Sequence, residues 1–507
     1  MSRPTVTQAL AWSPASLRAA ADAWDAAAAD LRAAVAVAVD GVTGSREFWW
    51  GAAAEAARAE ALAVGHDSDA LARAAVLAAV AARDGADQVA LAQREVSELV
   101  TAARADGFGV ADDGTVTAPA DPSELLVALS GGDKSVGRDL LALRAEELTR
   151  RLVAALDRLA AADADAAADI DEALATATVR APQTAPASAD PQLAAMTPAQ
   201  LGNTDGVPWP VRIAANRTNI AQAVLDEPDP GRAAFYRSLL AEVDDPTGRG
   251  GRIDRQVLAF DPARDSFVEL HGDLAAATSV AVLVPGMNTT LVGSPANTAT
   301  ARRFVEAGRG DVAVITYLGG PFPRGNRVTG LLDAASPRYA MDMAPRLVRF
   351  SADVDRTVDA IAAERGRPIA VTYIGHSYGG AILGTAEALG LTADRTLYVA
   401  AAGAGFGVDD PGDWHNRNPH VVRYSMTAPG DFIQAVQGIP NGPHGADPDT
   451  MPGVIPLPTG NYDDGRPMAG WQAHTDVLNA PSDAWRNILA VITGDVAVDS
   501  PTLHKAG

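Results

Sequence analysis

A serine flanked by glycines constrains the fold of this chain more than any other feature of its sequence. The residues Gly-His-Ser-Tyr-Gly occupy positions 375–379, behind an apolar, β-branched run at 369–374 and ahead of a helix-favouring stretch at 380–389. A strand, a G-x-S-x-G turn and a helix in this order are typical of a nucleophile elbow, which exposes the serine hydroxyl at the carboxyl end of a parallel sheet. The pattern predicts that Ser377 is a catalytic nucleophile. The alternative is that Ser377 is a turn residue without a catalytic role that happens to lie between two glycines.

Length and charge narrow the classes of protein that need to be considered. A chain of 507 residues, 48% of them hydrophobic, predicts two or three domains and a sizeable core. The formal net charge of -22 argues against nucleic acids and anionic membrane surfaces as partners, since no basic field attracts phosphates. Because the sequence contains no cysteine, disulfide bonds, thiolate catalysis and Cys-based zinc sites are excluded.

The sequence leaves the cellular compartment open. Residues 1–8 contain no continuous apolar segment, so we expect no secretory signal peptide. We also expect no transmembrane helix, because no stretch of about 18 uncharged apolar residues occurs. A cytoplasmic location and export by a route without a signal peptide both remain possible.

The first part of the chain predicts an all-α domain at 1–180. It is rich in alanine, aspartate, arginine and leucine, and it suggests long helices from Ser13-Pro14 onward, from about 51 to 99 and from about 139 to 174, with a loop or small extension at 110–128. A Pro- and Ala-rich linker is predicted at 181–200 and a catalytic domain at 201–507. Seven-residue spacing places four apolar residues on one helix face: Leu10, Leu17, Trp24 and Leu31.

A Trp-Trp-Gly sequence at 49–51 separates the first two long helices. Two long helices with a Trp-x-Gly at the bend resemble the WXG100 family of type VII secretion substrates and their relatives, over about the first 100 residues. The resemblance implies a secretion-system or helical partner for this domain and a type VII-like export route. The alternative is structural: a buried tryptophan that packs the bend, with Gly51 allowing close helix approach.

The second half of the chain predicts a mostly parallel sheet. Residues 256–260 and 266–270 read as a β-hairpin, and 482–491 as a terminal helix. Buried strands spaced by helices are predicted at 279–284, 312–317, 369–374, 396–400 and 421–426. The predicted fold class is therefore α/β, an α/β-hydrolase fold preceded by an all-α helical domain.

Serine acyl transfer also needs an acid that orients the base. In the α/β-hydrolase order this acid follows the nucleophile and precedes the histidine. Asp431 lies just beyond the second predicted strand after the elbow strand and is our choice. The alternative for Asp431 is a turn residue that caps the helix beginning at Phe432. Three acids after the preceding strand stay open as rivals: Asp409, Asp410 and Asp413.

The general base is expected among the three histidines that follow Asp431. We favour His474, shortly before the final helix, over His444, which stays open as a replacement. His504 lies in the terminal tail. His376, inside the elbow, is expected to serve packing, and Asp476 to fix the loop rather than the imidazole.

The oxyanion of the reaction needs backbone donors. The sequence predicts the N–H of Tyr378, next to the nucleophile, and that of Met287, in the loop at 285–290 after the strand at 279–284. The chemistry needs no metal ion and no organic cofactor.

A second resemblance covers the chain from about 201 to beyond 431. Leu-Gly-Asn-Thr-Asp-Gly-Val-Pro at 201–208, with Arg212 and Ala-Asn-Arg at 215–217, resembles a signature of an actinobacterial α/β-hydrolase family of unknown function, DUF1023. The segments 284–287 and 428–431 and the elbow are similar to that family as well. The resemblance implies the fold, a serine nucleophile and upstream helical segments like those of WXG100 proteins, but no established substrate.

These observations together predict a serine hydrolase that cleaves carboxylic esters, such as a small-molecule or lipid ester, through an acyl-enzyme. An amidase or thioesterase on the same fold remains an alternative. So does a secretion-associated interaction protein in which the hydrolase part is a non-catalytic scaffold. Segments 318–338 and 438–466 are expected to border the substrate pocket.

Overall fold

The computed structural model describes residues 3–177, 193, 195–325, 333–437 and 442–496. The chain divides into two compact units. The helical unit holds the described residues up to 177 together with Ala221–Ala241, and the sheet unit holds the other described residues. The predicted linker at 181–200 stays a prediction, since most of it lies outside the described residues. No helix in the described ranges has the length and apolar character needed to span a bilayer.

The helical unit is built on long helices that bury alanines and leucines. Its core pairs leucines of the third long helix with valines of the second, such as Leu152 and Leu156 with Val96 and Val100. The predicted heptad is interrupted, because Leu10 belongs to a separate short helix and is exposed. The helices and two short paired strands are α1 Val6–Ala11, α2 Pro14–Gly44, α3 Ala52–Ala105, β1 Gly109–Val110, β2 Val116–Thr117, α4 Glu124–Leu129 and α5 Lys134–Ala175.

The bend between α2 and α3 shows that the structural alternative, a buried tryptophan, is wrong. Trp50 is 73% exposed, and Trp49 is exposed as well. Arg58, which is 3% exposed, holds the bend instead, because its guanidinium donates to the carbonyl oxygen of Trp49 (2.5 Å) and to Ser45 Oγ (3.2 Å). Gly51 has a φ of 104° and an added Cβ would meet no atom within 4 Å, so its backbone conformation requires glycine, not close helix approach.

The sheet unit contains an eight-stranded sheet among its described residues, made of β5 Gln256–Asp261, β6 Ser266–His271, β7 Ser279–Val284, β8 Val312–Leu318, β9 Ala370–His376, β10 Arg395–Val399, β11 Val422–Met426 and β12 Val454–Pro456. The strands lie in the order β12-β11-β10-β9-β7-β8-β6-β5. The six strands from β12 to β8 are parallel, and β6 and β5 are added antiparallel at one edge. Two short strands, β3 Val243–Asp244 and β4 Arg252–Ile253, pair separately.

The predicted hairpin and the five predicted parallel strands are confirmed within one or two residues. The strands β7 and β8 are buried along their whole length, as their Val- and Ile-rich sequences predict for a sheet covered on both faces. The later helices, beyond α5, are α6 Pro198–Asn203, α7 Trp209–Asp226, α8 Pro230–Leu240, α9 Pro295–Ala307, α10 Arg338–Arg365, α11 Tyr378–Ala388, α12 Ile433–Gln437, α13 Ala473–Asn479 and α14 Asp483–Thr493.

The strand order creates a crevice at the carboxyl ends of β7 and β9. These two strands are neighbours, yet the chain leaves β7 toward β8 on one side and leaves β9 toward β10 on the other. Open α/β sheets bind ligands at such a switch point. The loop that follows β7 and the elbow that follows β9 therefore meet where a substrate is expected.

The motif at 201–217 fastens α6 and α7 to the edge strand β5. The side-chain amide of Asn216 donates to the carbonyl oxygens of Gly202 (2.9 Å) and Val257 (3.1 Å). The buried guanidinium of Arg212 donates to the carbonyl oxygen of Leu258 and pairs with the buried Asp353 at 2.7 Å. These contacts give the motif a structural role at the sheet edge.

Candidate active site

The segment around Ser377 has the backbone of a nucleophile elbow. Strand β9 ends at His376 and helix α11 begins at Tyr378. Ser377 between them has φ 55° and ψ -120°, a backbone conformation that residues other than glycine rarely adopt. A Cβ at Gly379 would lie 2.1 Å from the carbonyl oxygen of Val284. Only glycine therefore lets α11 approach β7 closely enough for this turn.

Ser377, His474 and Asp431 form a continuous line of hydrogen bonds. His474 Nε2 lies 3.0 Å from Ser377 Oγ, and His474 Nδ1 lies 2.9 Å and 3.1 Å from the two carboxylate oxygens of Asp431. Asp431 is 3% exposed, and its Oδ1 also accepts the backbone N–H of Ile433. The carboxylate fixes the tautomer in which Nδ1 carries the proton and Nε2 is free to accept one. The structure thus brings together the three side chains that the sequence singled out.

The rival acids lie in different hydrogen-bonding environments. The carboxylate of Asp413 accepts the backbone N–H groups of Asp409 and Asp410, and Asp410 caps the short 3-10 helix Pro411–Asp413. Asp476 accepts a hydrogen bond from the hydroxyl of Tyr462 at 2.8 Å. The contacts of Asp410 and Asp413 thus lie within their own loop, and Asp476 joins helix α13 to the segment that holds Tyr462.

His444 borders the pocket but does not contact Ser377. Its Nε2–H donates to the carbonyl oxygen of Ala334 at 2.6 Å, and burial lowers the pKa of its imidazole. The hydroxyl of Tyr378 donates to the carbonyl oxygen of Ser336 at 2.6 Å. Both side chains thus hold the segment before α10 against the elbow. His504 lies outside the described residues.

The predicted oxyanion donors face the same cavity as Ser377. Met287 and Tyr378 both line it, and within the described parts of the chain neither backbone N–H donates a hydrogen bond to another residue. The loop after β7 approaches the elbow closely, since a Cβ at Gly286 would lie 2.7 Å from the Cβ of Ser377. Two free backbone donors beside a nucleophile can stabilise an oxyanion.

The sequence did not predict two contacts that His474 makes in the structure. The ring of Phe432 packs on its imidazole at a centroid distance of 4.5 Å. His376 does more than pack, because its Nε2–H donates to the carbonyl oxygen of His474 at 2.7 Å. The position of a histidine within the elbow was visible in the sequence, but its partner 98 residues downstream was not.

The pKa of His376 gives a prediction about pH. Burial, followed by the neighbouring charge of His474, lowers this pKa from 6.5 to about 4. Between pH 6.5 and 4 the unfolded chain therefore binds a proton that the folded protein does not. We expect the contribution of His376 to the free energy of unfolding to be fully present above about pH 6.5 and to fall by about 3 kcal/mol as the pH drops to 4.

Urea unfolding at a series of pH values measures this dependence. The His376→Gln variant should show a flatter profile between pH 6.5 and 4, whereas His420→Gln, at an exposed position, should keep the profile of the unaltered protein. An unchanged profile in His376→Gln would contradict the lowered pKa.

The cavity beside Ser377 has a volume of about 700 Å³. The loop after β7, α9, the elbow, α12 and α13 contribute to its lining. Of the two segments expected to border it, 318–338 supplies Ala334 and Ala335, and 438–466 supplies Pro443 and His444. Within the described ranges, no cluster of three or more His, Cys, Asp or Glu side chains is arranged to hold a metal ion.

Comparisons with known proteins agree with this architecture. Residues 261–440 match the model of a family described as alpha/beta hydrolase, a range that includes Ser377 and Asp431 and ends before His474. The eight-stranded sheet and this match give the sheet unit an α/β-hydrolase fold and support a hydrolase. No curated protein matches the chain.

Two solved structures are similar to parts of the chain. TT1662 from Thermus thermophilus is 12% identical, with 47% of this chain and 99% of that chain covered and a TM-score of 0.24. A candidate dienelactone hydrolase from Klebsiella pneumoniae subsp. pneumoniae MGH 78578 is 11% identical, with 50% of this chain and 97% of that chain covered and a TM-score of 0.24.

Proposed function

We propose that this protein is a serine hydrolase that cleaves carboxylic esters through an acyl-enzyme. The observation that carries the proposal is the unbroken contact from Ser377 Oγ through His474 to the buried carboxylate of Asp431. Serine is a weak nucleophile at neutral pH and needs an adjacent base held in the correct orientation. This arrangement supplies both.

The proposed acylation step uses all three side chains. His474 Nε2 accepts the proton of the Ser377 hydroxyl as Oγ attacks the ester carbonyl carbon. Asp431 accepts the Nδ1–H hydrogen bond and stabilises the imidazolium that forms. The tetrahedral intermediate then collapses, the bond to the alcohol oxygen breaks, and His474 returns its proton to that oxygen.

The oxyanion and the second half-reaction use the same groups. The negative oxygen accepts hydrogen bonds from the N–H groups of Tyr378 and Met287, each worth about 3 kcal/mol in the transition state. Water then takes the place of the alcohol and gives its proton to His474. The water oxygen attacks the acyl carbon, the bond from that carbon to Ser377 Oγ breaks, and His474 returns its proton to Oγ, which releases the acid and restores the hydroxyl. The contact of His376 with the His474 carbonyl supports the base through both steps.

A fluorophosphonate probe tests this proposal, because it reacts with an activated serine in the place of an ester. We expect the purified protein to be labelled at Ser377 and the Ser377→Ala variant to remain unlabelled. A panel of matched ester, thioester and anilide substrates then separates an esterase from a thioesterase or amidase. Absence of both labelling and turnover between pH 6 and 9 would favour a non-catalytic scaffold.

The partner of the helical unit stays a prediction. The side chains of Phe48 and Trp50 at the bend between α2 and α3 are exposed and apolar. A secretion-system or helical partner of the kind that the WXG100 resemblance implies would cover such rings.

A further inference from the structure

The lining of the cavity beside Ser377 is uncharged. Its described residues include no lysine, arginine, aspartate or glutamate. In a chain with 41 basic and 63 acidic residues, such a lining is a specific feature of this site and not of the whole protein. A ligand that enters it meets no countercharge from these residues.

The two histidines beside the base do not supply a charge either. The Nε2–H groups of His376 and His444 are already donated to the carbonyl oxygens of His474 and Ala334. Burial lowers the pKa of both imidazoles, so both are neutral at pH 7. Their neutral forms suffice for these contacts.

An apolar surface occupies the side of the cavity formed by α12 and the residue before it. Phe432, Ile433 and Val436 line it there, and Leu478 adds to it from α13. Apolar side chains of this kind gain from contact with an aliphatic chain. The cavity volume of about 700 Å³ lies within the range of pockets that enclose a whole small-molecule ligand.

Neutral polar groups line the cavity on α9 and on the loop before it. Thr289 and Asn297 line it, and neither side chain makes a hydrogen bond to another side chain or backbone group in the described part of the chain. Thr300 and Asn479, also in the lining, hydrogen-bond each other at 2.6 Å, and the guanidinium of Arg303, which is not part of the lining, donates to both side chains. Hydroxyl and amide groups can satisfy a neutral polar ligand group, but they do not offset the desolvation of a full charge.

We propose that this site takes uncharged esters that combine an apolar chain with a neutral hydrogen-bonding group, and that it rejects esters carrying an ionised group. The proposal deepens the proposed function and rests on it. Asn297 is the residue we assign to the neutral polar group, because its amide is unengaged and it lies in the first turn of α9.

Four p-nitrophenyl esters with the same six-carbon acyl chain test the proposal at pH 7.5. They are the hexanoate, the 6-acetamidohexanoate, the half-ester of adipate and the 6-aminohexanoate. We expect kcat/KM for each of the two neutral esters to exceed that for the carboxylate and the ammonium ester by at least 30-fold. A smaller ratio for either charged ester would overturn the proposal.

A variant sharpens the test. Asn297→Asp places a carboxylate in the lining, so the kcat/KM ratio of the 6-aminohexanoate to the hexanoate should rise at least fivefold, while Asn297→Leu should not raise it. An unchanged ratio in Asn297→Asp would remove Asn297 from the proposal. If no ester is turned over and Ser377 is not labelled, the proposed function itself fails; labelling with indiscriminate turnover overturns only this inference.

Discussion

Replacing His474 by alanine should lower kcat/KM for a p-nitrophenyl ester on the order of 10⁵-fold. His474 is the side chain that contacts both Ser377 Oγ and the Asp431 carboxylate, so its loss leaves the serine without a base and the carboxylate without its imidazole partner. The residual rate would come from the backbone donors and from substrate binding. Steady-state hydrolysis, with circular dichroism to check folding, measures the effect.

Two other histidine variants control this experiment. His444→Ala removes the anchor of Ala334 and should reduce kcat/KM by no more than about tenfold, since its imidazole does not contact Ser377. His420→Ala, at an exposed position, should match the unaltered protein. A larger loss in His444→Ala than in His474→Ala would reverse the assignment of the base.

The positions of the three proposed catalytic residues could be predicted from order along the chain. A G-x-S-x-G sequence between a strand and a helix fixes Ser377, and the order of acid and base in this fold leaves few candidates downstream. The elbow also dictates the backbone of Ser377, because glycine at 379 is required by the approach of Val284. The local sequence and the order of strands along the chain are therefore enough to predict where the three proposed catalytic residues lie.

The surroundings of the base could not be predicted in this way. The contact of His376 with the His474 carbonyl joins residues 98 positions apart, and the contact of Phe432 depends on how the residue before α12 packs on α13. Strand β12 is three residues long and ends in a proline, so it gave no apolar run to recognise. The expectation of a buried tryptophan at the bend near Trp50 was wrong for a related reason. A buried arginine hydrogen-bonds the backbone of the bend, and the aromatic rings stay exposed.

Asp353 gives a prediction about stability that is independent of catalysis. Its side chain is 4% exposed and accepts hydrogen bonds from the backbone N–H of Gly206 (3.0 Å), the indole N–H of Trp209 (3.0 Å) and the guanidinium of Arg212 (2.7 Å). Asp353→Ala leaves the Arg212 charge, whose side chain is only 2% exposed, with the weaker contact to Asp205 at 3.4 Å. We expect a loss of about 3–5 kcal/mol in the free energy of unfolding of the sheet unit.

Urea dependence of hydrogen exchange in β5 and β7 reports this loss without interference from the helical unit. Asp359→Ala, at an exposed position on the same helix α10, is the matched control and should change stability by less than about 0.5 kcal/mol. The double variant Arg212→Met, Asp353→Leu should be more stable than Asp353→Ala, because it removes the buried guanidinium together with the buried carboxylate that pairs with it. If Asp353→Ala and Asp359→Ala were equally stable, the motif at 201–217 would have no stabilising role, and its residues would need another explanation.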